Sequence, residues 1–326
     1  MRLHKRILVL TTNHVGNNLF CTVGTRLLKH HLPDARIDVV TMSRRGASAF
    51  AHNPDVHTVY CLPSKTLVRR LARRYDLVIG LHHDVARPYL EGLGAQAVLL
   101  APPTPDRHRT EAMLQSVAAV LGVAVTDADR QYRLCPQPED VAAIDRRLAI
   151  DGQPHTFIGL HLGSGRTAVH GWKFWYAKRD LDPRIWPLER YVALARLLQA
   201  ADPALRLVIT GSRNERFLGR RFTQQVPEAI NLVGKTSLLE LAALMKRLAV
   251  FVTHDNGALH VACATGARLV GLFGPTDPDR TGPYPPGPQN TIIKQARIED
   301  IRAEDVCAAV LTHMRTAQVV AAPLAP

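Results

Sequence analysis

The stretch 250-VFVTHDNGALHVACATGARLVGLFGPTDPDRTGPY-284 contains a strand, a helix and a second strand in immediate succession. The short apolar strand Val250 to Thr253 ends in polar residues and glycine, and a helix of small residues follows at once. Gly266 is placed to end that helix, and the strand Leu269 to Phe273 then leads into a turn rich in glycine and proline. Parallel sheets bind ligands in crevices outside the carboxyl ends of their strands, so this unit predicts a binding site.

The same alternation of strands and helices runs through both halves of the chain. Short apolar strands separated by helices are typical of parallel, doubly wound sheets. The predicted strands are Arg6–Thr11, Ile37–Thr41, Thr58–Cys61, Leu77–Leu81 and Ala97–Leu100 in the first half, and Phe157–His161 and Leu205–Thr210 ahead of the quoted unit. The first helix is predicted over Leu19–His31. The fold class is therefore α/β, with two doubly wound, Rossmann-like domains facing a cleft.

The length of 326 residues exceeds what one hydrophobic core usually serves, which predicts two domains. Residues 136–155 are rich in proline and charge, as expected of a linker. We place an N-terminal domain at 1–150 and a C-terminal domain at 151–326. The last helix is a candidate to cross back to the N-terminal domain.

The composition is that of a globular protein, with 46% hydrophobic and 21% charged residues. Lys and Arg number 41 against 28 Asp and Glu, which gives a net charge of +13. This excess favours an anionic partner such as phosphate, nucleic acid or an acidic membrane surface. A solvated basic surface without a partner is the alternative.

The five cysteines are scattered and form no CxxC pair, which argues against a disulfide framework or a zinc site and fits a reducing compartment. The apolar run Ile7 to Leu10 near the N-terminus is too short for the core of a signal peptide or for a membrane span. We therefore expect a cytoplasmic protein.

The first candidate anion site is the loop Gly163-Ser164-Gly165, which follows the strand Phe157–His161. Its glycines let backbone N–H groups approach an anion closely, and the Ser164 hydroxyl can donate a further hydrogen bond. A plain turn is the alternative interpretation of this loop.

A second candidate site is the helix start after Val250–Thr253. Asn256 and Gly257 place amide donors at a helix N-terminus, which attracts phosphate. The alternative is that Asp255 merely caps this helix. His260, three residues after Gly257, is either directed at the ligand or an ordinary buried histidine.

The third strand end carries 211-GSRNE-215, after the strand Leu205–Thr210. The carboxylate of Glu215 can accept two hydrogen bonds from ribose hydroxyls, although a solvated Glu at a helix start is an equal alternative. Together the three strand ends predict a ligand with anionic and hydroxyl groups. The chain lacks GxxxxGK[ST], and no GxGxxG follows its first strand, which argues against a P-loop hydrolase and a dinucleotide-binding enzyme.

Motifs of the second half resemble those of glycosyltransferase family 9, the lipopolysaccharide heptosyltransferases and their relatives. They are 255-DNGALH-260, 273-FGPTDP-278 and 282-GPY-284, with Asn256 where the family usually has Thr or Ser. The loop 161-HLGSG-165 and the segment 184-RIWP-187, the counterpart of a KxWP motif, also belong to the pattern. The resemblance covers the whole C-terminal half and implies an inverting enzyme of GT-B architecture.

The resemblance also implies a donor site, because in the family this half binds the nucleotide of an ADP-sugar. The counterpart of Arg184 and the hydroxyl loop hold phosphates, and a Glu like Glu215 takes the ribose. Arg in place of Lys keeps the charge and adds a planar fork. The residues predicted to bind the donor are Ser164, Gly165, Arg184, Glu215, Asp255, Asn256, Gly257 and His260. No cofactor is expected besides the nucleotide-sugar, which is a substrate.

The N-terminal half departs from the family at its general base. The family has G-D after the first strand, and this Asp is the proposed base for the acceptor hydroxyl, whereas 14-HVGNNL-19 places Asn17 there. An amide nitrogen is essentially non-basic. We predict that Asp84, after the fourth strand, or His14, in the first loop, serves instead. Asp84 is favoured because a carboxylate is the family's chemistry, and a His–Asp pair with the adjacent His82 or His83 could share the work. Asn17 then orients the acceptor; His14 merely capping or packing the first loop is the alternative.

The resulting prediction is a glycosyltransferase that moves a sugar, with heptose as a candidate, from a nucleotide carrier to a hydroxyl of an anionic glycolipid of the lipopolysaccharide type. No metal is expected, since no DxD pair is placed to hold one and helix N-termini with Arg184 can stabilise the leaving diphosphate. The alternative is a catalytically impaired nucleotide-sugar-binding protein that lost its base. The basic run Arg69–Arg74 suggests peripheral contact with the inner membrane, or is a solvated helix face. Nucleic acid is not an expected partner.

Overall fold

The computed structural model describes residues 6–61, 64–100, 102, 106–149, 155–164 and 182–321. The chain divides into two compact units, Met1–Cys135 and Pro136–Pro326. The division lies earlier in the chain than the boundary we placed between residues 150 and 151. Residues 138–148, within the segment interpreted as a linker, form a helix that packs in the second unit.

The first unit contains one parallel sheet with strand order β3-β2-β1-β4-β5. Its elements are β1 (Arg6–Leu10), α1 (Val15–His31), β2 (Arg36–Thr41), α2 (Arg44–Ala47), β3 (Thr58–Cys61), α3 (Lys65–Ala72), β4 (Leu77–Gly80), α4 (His83–Leu90), β5 (Ala97–Leu99) and α5 (Arg109–Leu121). The chain runs outward from β1 to β3 and then returns to the other side of β1 as β4. The loops after β1 and β4 therefore diverge, and this topological switch point is where such sheets bind ligands.

The central position of β1 explains its composition. Ile7, Leu8, Val9 and Leu10 are fully buried on both faces of the strand. A parallel strand covered on both faces reads as a continuous apolar run, without the alternation of a half-exposed strand.

The second unit contains a parallel sheet with strand order β11-β10-β9-β6-β7-β8. Its elements are α6 (Pro138–Leu148), β6 (Phe157–His161), α7 (Leu188–Ala201), β7 (Arg206–Thr210), α8 (Arg216–Thr223), β8 (Ile230–Asn231), α9 (Leu238–Met245), β9 (Leu248–His254), α10 (Gly257–Thr265), β10 (Leu269–Phe273), α11 (Pro278–Thr281), β11 (Asn290–Lys294) and α12 (Ala303–Ala321). Here the switch point lies between β6 and β9.

The core of the second unit includes both the start of α7 and the last helix. Trp186 is fully buried, its indole N–H donates to the carbonyl of Ile301 at 3.1 Å, and its ring meets Tyr191 edge-on at 4.8 Å. Val306 and Val310 of α12 belong to the same core. The last helix thus packs within the second unit, through α7, β9 and β10.

The predicted α/β class with two doubly wound sheets is confirmed, and β3, β6 and β10 have the predicted bounds. The prediction for the first helix was wrong at its start, because α1 begins at Val15 and not at Leu19. Gly and Asn in 16–18 are poor helix formers, which hid the first turn. The buried Asn18 amide donates to the carbonyls of Thr12 and His14, both at 2.9 Å, and ties this turn to the preceding loop. Asn17 therefore lies on a helix and not in a loop.

Among the residues that the structure describes, no helix combines the length and the apolar character needed to cross a membrane.

Candidate functional site

The three predicted strand ends of the second unit belong to adjoining strands. β9, β6 and β7 are neighbours in the sheet, and their carboxyl ends carry Asp255 with Asn256, Ser164 and, at the end of a short helical turn, Glu215. The fold therefore places these predicted donor residues at one edge of the sheet. Gly165 lies outside the described residues.

Ser164, Asp182 and Arg184 form a hydrogen-bonded group next to the end of β6. The Ser164 hydroxyl donates to Oδ2 of Asp182 at 2.7 Å. Arg184 donates to the same carboxylate through Nη2 at 2.8 Å and Nε at 3.2 Å, and through its backbone amide at 3.1 Å. This two-nitrogen pairing fixes the plane of the guanidinium group.

Asp182 stays ionised because of these contacts. Burial by itself raises the pKa of this carboxyl, but the hydrogen bonds from Arg184 and Ser164 outweigh burial and lower the pKa to about 2. Sequence reasoning missed Asp182. The available signal was an acidic residue two positions before a predicted phosphate-binding arginine.

Glu215 is buried, with an exposed fraction of 2%. Its carboxylate accepts from the backbone N–H of Ser212 and completes a capping box, so the alternative of a solvated Glu is wrong. A Cβ added to Gly163 would lie 2.1 Å from Oε1 of Glu215. Gly163 is therefore required for the close approach of the β6 loop to this carboxylate.

The N-terminus of α10 is capped by Asn256 and not by Asp255. Oδ1 of Asn256 accepts from the amides of Ala258 at 2.8 Å and Leu259 at 3.3 Å. The amide group of Asn256 donates to the carbonyl of Gly163 at 3.1 Å and so links the β9 and β6 loops. Two amides of the first turn of α10 are thus bonded within the protein; they are not those of Asn256 and Gly257, which were predicted to attract phosphate.

Asp255 and Gly257 flank this cap. Asp255 is 9% exposed and accepts from the Thr281 hydroxyl at 3.3 Å. Gly257 is the first residue of α10. His260 lies one turn along α10 and is 4% exposed, so its side chain is held inside the unit.

His254, the last residue of β9, is fully buried beside this group. The Tyr191 hydroxyl donates to the carbonyl of His161 at 2.8 Å, so in its 3.2 Å contact with Nδ1 of His254 the imidazole is the donor. Burial lowers the pKa of His254 to about 3. This histidine is neutral at pH 7 and supports the strand end.

The switch point of the first unit holds a cavity of about 130 Å³. It lies where Leu81, after β4, donates its amide to the carbonyl of Leu10, the last residue of β1, at 2.9 Å. The cavity is lined by Asn17, Phe20, Cys21, Leu81, His82, His83, Asp84, Leu100, Arg109 and Met113. The structure thus brings the predicted residues Asn17 and Asp84 to one cavity.

His14 occupies the N-cap position of α1, but its side chain makes no cap hydrogen bond, which excludes the capping alternative. It is not among the residues that line the cavity. It lies near enough to influence the pKa of His82.

Asp84, the favoured base, has a side chain that is 87% exposed, with Oδ1 3.3 Å from Nδ1 of His83. His82 at the N-cap of α4 is less exposed, and its Nδ1 is buried without a hydrogen-bond partner among the described residues. Burial lowers the pKa of His82; Asp84 opposes this shift, and Arg109 and His14 reinforce it.

Arg109 is a lining residue that sequence reasoning missed. It is the first residue of α5, whose second residue, Thr110, donates its amide to the ring of His108 at 3.1 Å. The basic stretch 107-RHR-109 was the signal in the sequence. Arg109 supplies a positive charge to a cavity that contains no lysine among its described lining residues.

One group of potential metal ligands lies away from both switch points. The ligand atoms of His30, His31 and Asp129 lie within 4.8 Å of one another. Asp129 accepts from His30 at 2.9 Å and from the amide and hydroxyl of Thr126 at 2.8 and 2.6 Å. These hydrogen bonds explain the position of Asp129, whose carboxylate caps the turn formed by residues 127–130.

Comparison with known proteins identifies relatives along both halves of the chain. The sequence profile of glycosyltransferase family 9 (heptosyltransferase) matches residues 175–310. Lipooligosaccharide heptosyltransferase 2 of Haemophilus influenzae is 36% identical over 103 residues, which cover 30% of this chain and 29% of that protein. This match therefore spans less than a third of the relative's length.

A longer match comes from lipooligosaccharide heptosyltransferase 2 of Haemophilus ducreyi, which is 30% identical over 315 residues, or 85% of this chain and 86% of that protein. The solved structure of the Escherichia coli ADP-heptose lipopolysaccharide heptosyltransferase II has a TM-score of 0.74 and 19% identity, over 96% of this chain and 99% of that one. This likeness confirms the predicted GT-B fold class. The chain belongs to glycosyltransferase family 9.

Proposed function

We propose that the protein is an inverting glycosyltransferase that moves a sugar from a nucleotide-sugar to a hydroxyl of an anionic glycolipid of the lipopolysaccharide type. The observation that carries this proposal is the switch point of the second unit. Asn256 joins the β9 and β6 loops there, next to the Ser164, Asp182 and Arg184 group, within the region that the family profile matches.

The donor is proposed to be an ADP-linked heptose. The relatives in Haemophilus are named heptosyltransferases, and the similar Escherichia coli structure is that of an ADP-heptose heptosyltransferase. In this chain, Arg184 and the positive end of the α10 dipole would attract the diphosphate. Glu215 would accept hydrogen bonds from the ribose.

The leaving diphosphate is proposed to be stabilised without a metal ion. As the bond to the sugar breaks, negative charge develops on the diphosphate, and a fixed guanidinium group stabilises such charge without reorganising. The Asp182 carboxylate holds the guanidinium group of Arg184 in the fixed orientation that this stabilisation requires. Turnover that survives EDTA would support this part of the proposal, and turnover that returns only with added Mg²⁺ or Mn²⁺ would contradict it.

The acceptor is proposed to use the cavity of the first unit. An inverting transfer requires a group that takes the acceptor proton as the new bond forms, and the amide of Asn17 cannot do so. The ionisable groups at this switch point that could accept it are Asp84, His14, His82 and His83.

The test is a transfer assay with ADP-heptose and a lipopolysaccharide core acceptor, in which ADP release and the mass of the product are measured together. We expect ADP release that is slow with water and faster with acceptor. Thermal shift with ADP-, UDP- and GDP-sugars would identify the donor, since a ligand at about 100 times its dissociation constant adds roughly 2.7 kcal/mol of stability. Donor binding without transfer would support the impaired binding protein instead.

A further inference from the structure

We propose that His82 is the general base of the transfer and that Arg109 binds an anionic group of the acceptor in the same cavity. This inference rests on the proposed function and specifies its acceptor side. It assigns roles to two residues at the switch point of the first unit, where the carboxylate expected from the family resemblance is replaced by Asn17.

The position of His82 suits a base. It immediately follows Leu81, whose amide is bonded to the carbonyl of Leu10, so His82 is anchored to the two central strands of the sheet. It is also the N-cap residue of α4. A catalytic group that is held by rigid elements keeps its geometry during the reaction.

The two ring nitrogens of His82 differ in access. Nδ1 is buried and has no partner within the part of the chain that the structure describes. The residue as a whole is partly exposed and lines the cavity. Nε2 is therefore the nitrogen that a molecule in the cavity can reach.

The surroundings of His82 favour its neutral form. The charged and titratable groups near it are Asp84 and His83 on α4, His14 before α1 and Arg109 on α5. Burial, Arg109 and His14 lower the pKa, and Asp84 only partly compensates. At pH 7 the imidazole is therefore mostly unprotonated and has a lone pair for the incoming proton.

The competing groups are less well placed. The carboxylate of Asp84 is 87% exposed, so water solvates it and weakens it as a base for a hydroxyl inside the cavity. His14 does not line the cavity, and His83, which does, has its Nδ1 3.3 Å from Oδ1 of Asp84. Asn17 lines the cavity, and its amide can orient the acceptor hydroxyl by a hydrogen bond without taking the proton.

The cavity also favours an anion. The first turns of three helices reach it, through Asn17 of α1, His83 of α4 and Arg109 of α5. Helix N-termini carry partial positive charge, and the Arg109 guanidinium adds a full one. Asn17 in place of an aspartate removes a negative charge that would repel the ligand. The group recognised is a carboxylate or a phosphate of the acceptor.

The chemical step conserves atoms and charge. The acceptor O–H bond breaks and its proton moves to Nε2 of His82, in the tautomer that carries hydrogen on Nδ1. The electron pair of the oxygen forms the new bond to the anomeric carbon of the sugar. The bond from that carbon to the diphosphate breaks, and its electron pair leaves with the nucleoside diphosphate. The imidazolium then releases its proton to water.

The experiment compares His82→Gln with the parent in the transfer assay, with His57→Gln, an exposed histidine outside the cavity, as the matched control. We expect kcat to fall by a factor of about 10²–10⁴ in His82→Gln, which is the usual contribution of a general base to the rate, while the donor Kd stays unchanged. In the parent, kcat/KM should fall only in acid, on the acid side of the ordinary histidine pKa, because protonated His82 cannot accept a proton and its pKa is lowered by burial. His82→Gln should lose this dependence.

A rescue variant distinguishes loss of the base from damage to the fold. Asn17→Asp in the His82→Gln background restores a carboxylate at the same cavity and should recover part of the lost transfer, by about tenfold or more. Asp84→Asn should lower kcat by less than about tenfold, since a solvated carboxylate contributes little. A large loss in Asp84→Asn with full activity in His82→Gln would overturn the assignment.

Arg109→Gln tests the anion site separately. We expect the acceptor KM to rise by about tenfold or more while the donor Kd is unchanged, because an arginine that binds a charged group contributes more than about 1.4 kcal/mol. Acceptors without the carboxylate or without the phosphate would show which group is bound. An unchanged acceptor KM in Arg109→Gln would refute the anion site. If the parent transfers nothing, the proposed function fails; if it transfers and His82→Gln matches it, only this inference fails.

Discussion

The second unit surrounds its switch point with polar groups that bind one another, whereas the first unit surrounds its switch point with polar groups that face a cavity. At β6 and β9, Ser164, Asp182 and Arg184 form one bonded group, and Asn256 joins the two loops. At β1 and β4, by contrast, Asp84 is largely exposed and Nδ1 of His82 has no partner in the described structure.

This difference indicates that the two units use the switch point of a parallel sheet in two different ways. A site built from internally bonded charges is preorganised, so its geometry changes little when a charged ligand arrives. Polar side chains that line a cavity can be reached by a ligand and can take part in a proton transfer. The family motifs are concentrated around the first kind of site, whereas Asn17, which stands where the family has its aspartate, lies at the second.

The largest expected effect comes from breaking the bonded group. Arg184→Ala should lower the free energy of unfolding by about 3–5 kcal/mol, because it leaves the Asp182 carboxylate, with a side chain 3% exposed, buried without its charged partner. Urea unfolding measures this change. The double variant Asp182→Asn/Arg184→Gln removes both charges and should regain much of the stability, so that its nucleotide affinity reports the contribution of Arg184 to binding. Full stability in Arg184→Ala would show that the pair is not preorganised as described.

The packing of the two loops provides the next test. Gly163→Ala should cost about 1–3 kcal/mol, because the added Cβ would overlap Glu215. In a Glu215→Ala background the same change should cost much less, since the overlapping carboxylate is gone. A double-mutant cycle by thermal or urea unfolding measures the coupling. Additive costs would contradict a direct contact between these residues.

The pH dependence of the free energy of unfolding tests the protonation state of His254, a buried histidine of the second unit. His254 has a folded pKa of about 3, far below the usual value of about 6.5 for an unfolded chain. Below pH 6.5 the unfolded state binds a proton that the folded state does not, so stability falls by up to about 1.4 kcal/mol per pH unit until the folded pKa is reached.

Between pH 6.5 and 5, His254→Gln should therefore lose less stability per pH unit than the parent. The parent at pH 7.5 is the reference, since there the histidine is neutral in both states. Equal slopes in the two proteins would mean that His254 is protonated in the folded state.

The smallest expected effect concerns the basic surface of α3 and the residues after it. Arg70, Arg73 and Arg74 are exposed beside Leu67, which is 50% exposed, whereas Arg69 donates to the carbonyl of Pro88 at 3.1 Å. Arg69 therefore packs against α4 and is not part of the exposed basic surface, although the sequence places it in one basic run with the other arginines. If this surface meets anionic lipid, replacing the three exposed arginines with Gln should weaken vesicle binding by about 1 kcal/mol for each residue.

The control variant replaces three exposed arginines of the second unit with Gln and so loses the same amount of charge; they are Arg196, Arg220 and Arg221. Vesicles with and without anionic lipid, at low and high salt, distinguish a membrane contact from a solvated face. Equal losses in both variants would indicate a general effect of net charge.

The sequence by itself determined the α/β class, the order of the main strands and the residues at the strand ends of the second unit. These features depend on local patterns: apolar runs bounded by glycine, proline and polar residues, and short motifs such as 255-DNGALH-260. Strands at the centre of a parallel sheet are especially visible in sequence, because burial on both faces demands a continuous apolar run, as in β1.

Only the tertiary structure decided which polar groups pair and which stay open. The first turn of α1 depends on the contacts of Asn18 with Thr12 and His14, which outweigh the low helix propensity of the local sequence. Asp182 matters through its bonds to Ser164 and Arg184. The side chain of Asp84 is largely exposed, whereas Nδ1 of His82 is buried. Burial and hydrogen bonding set the protonation state of a side chain, and both arise from residues that are distant in sequence.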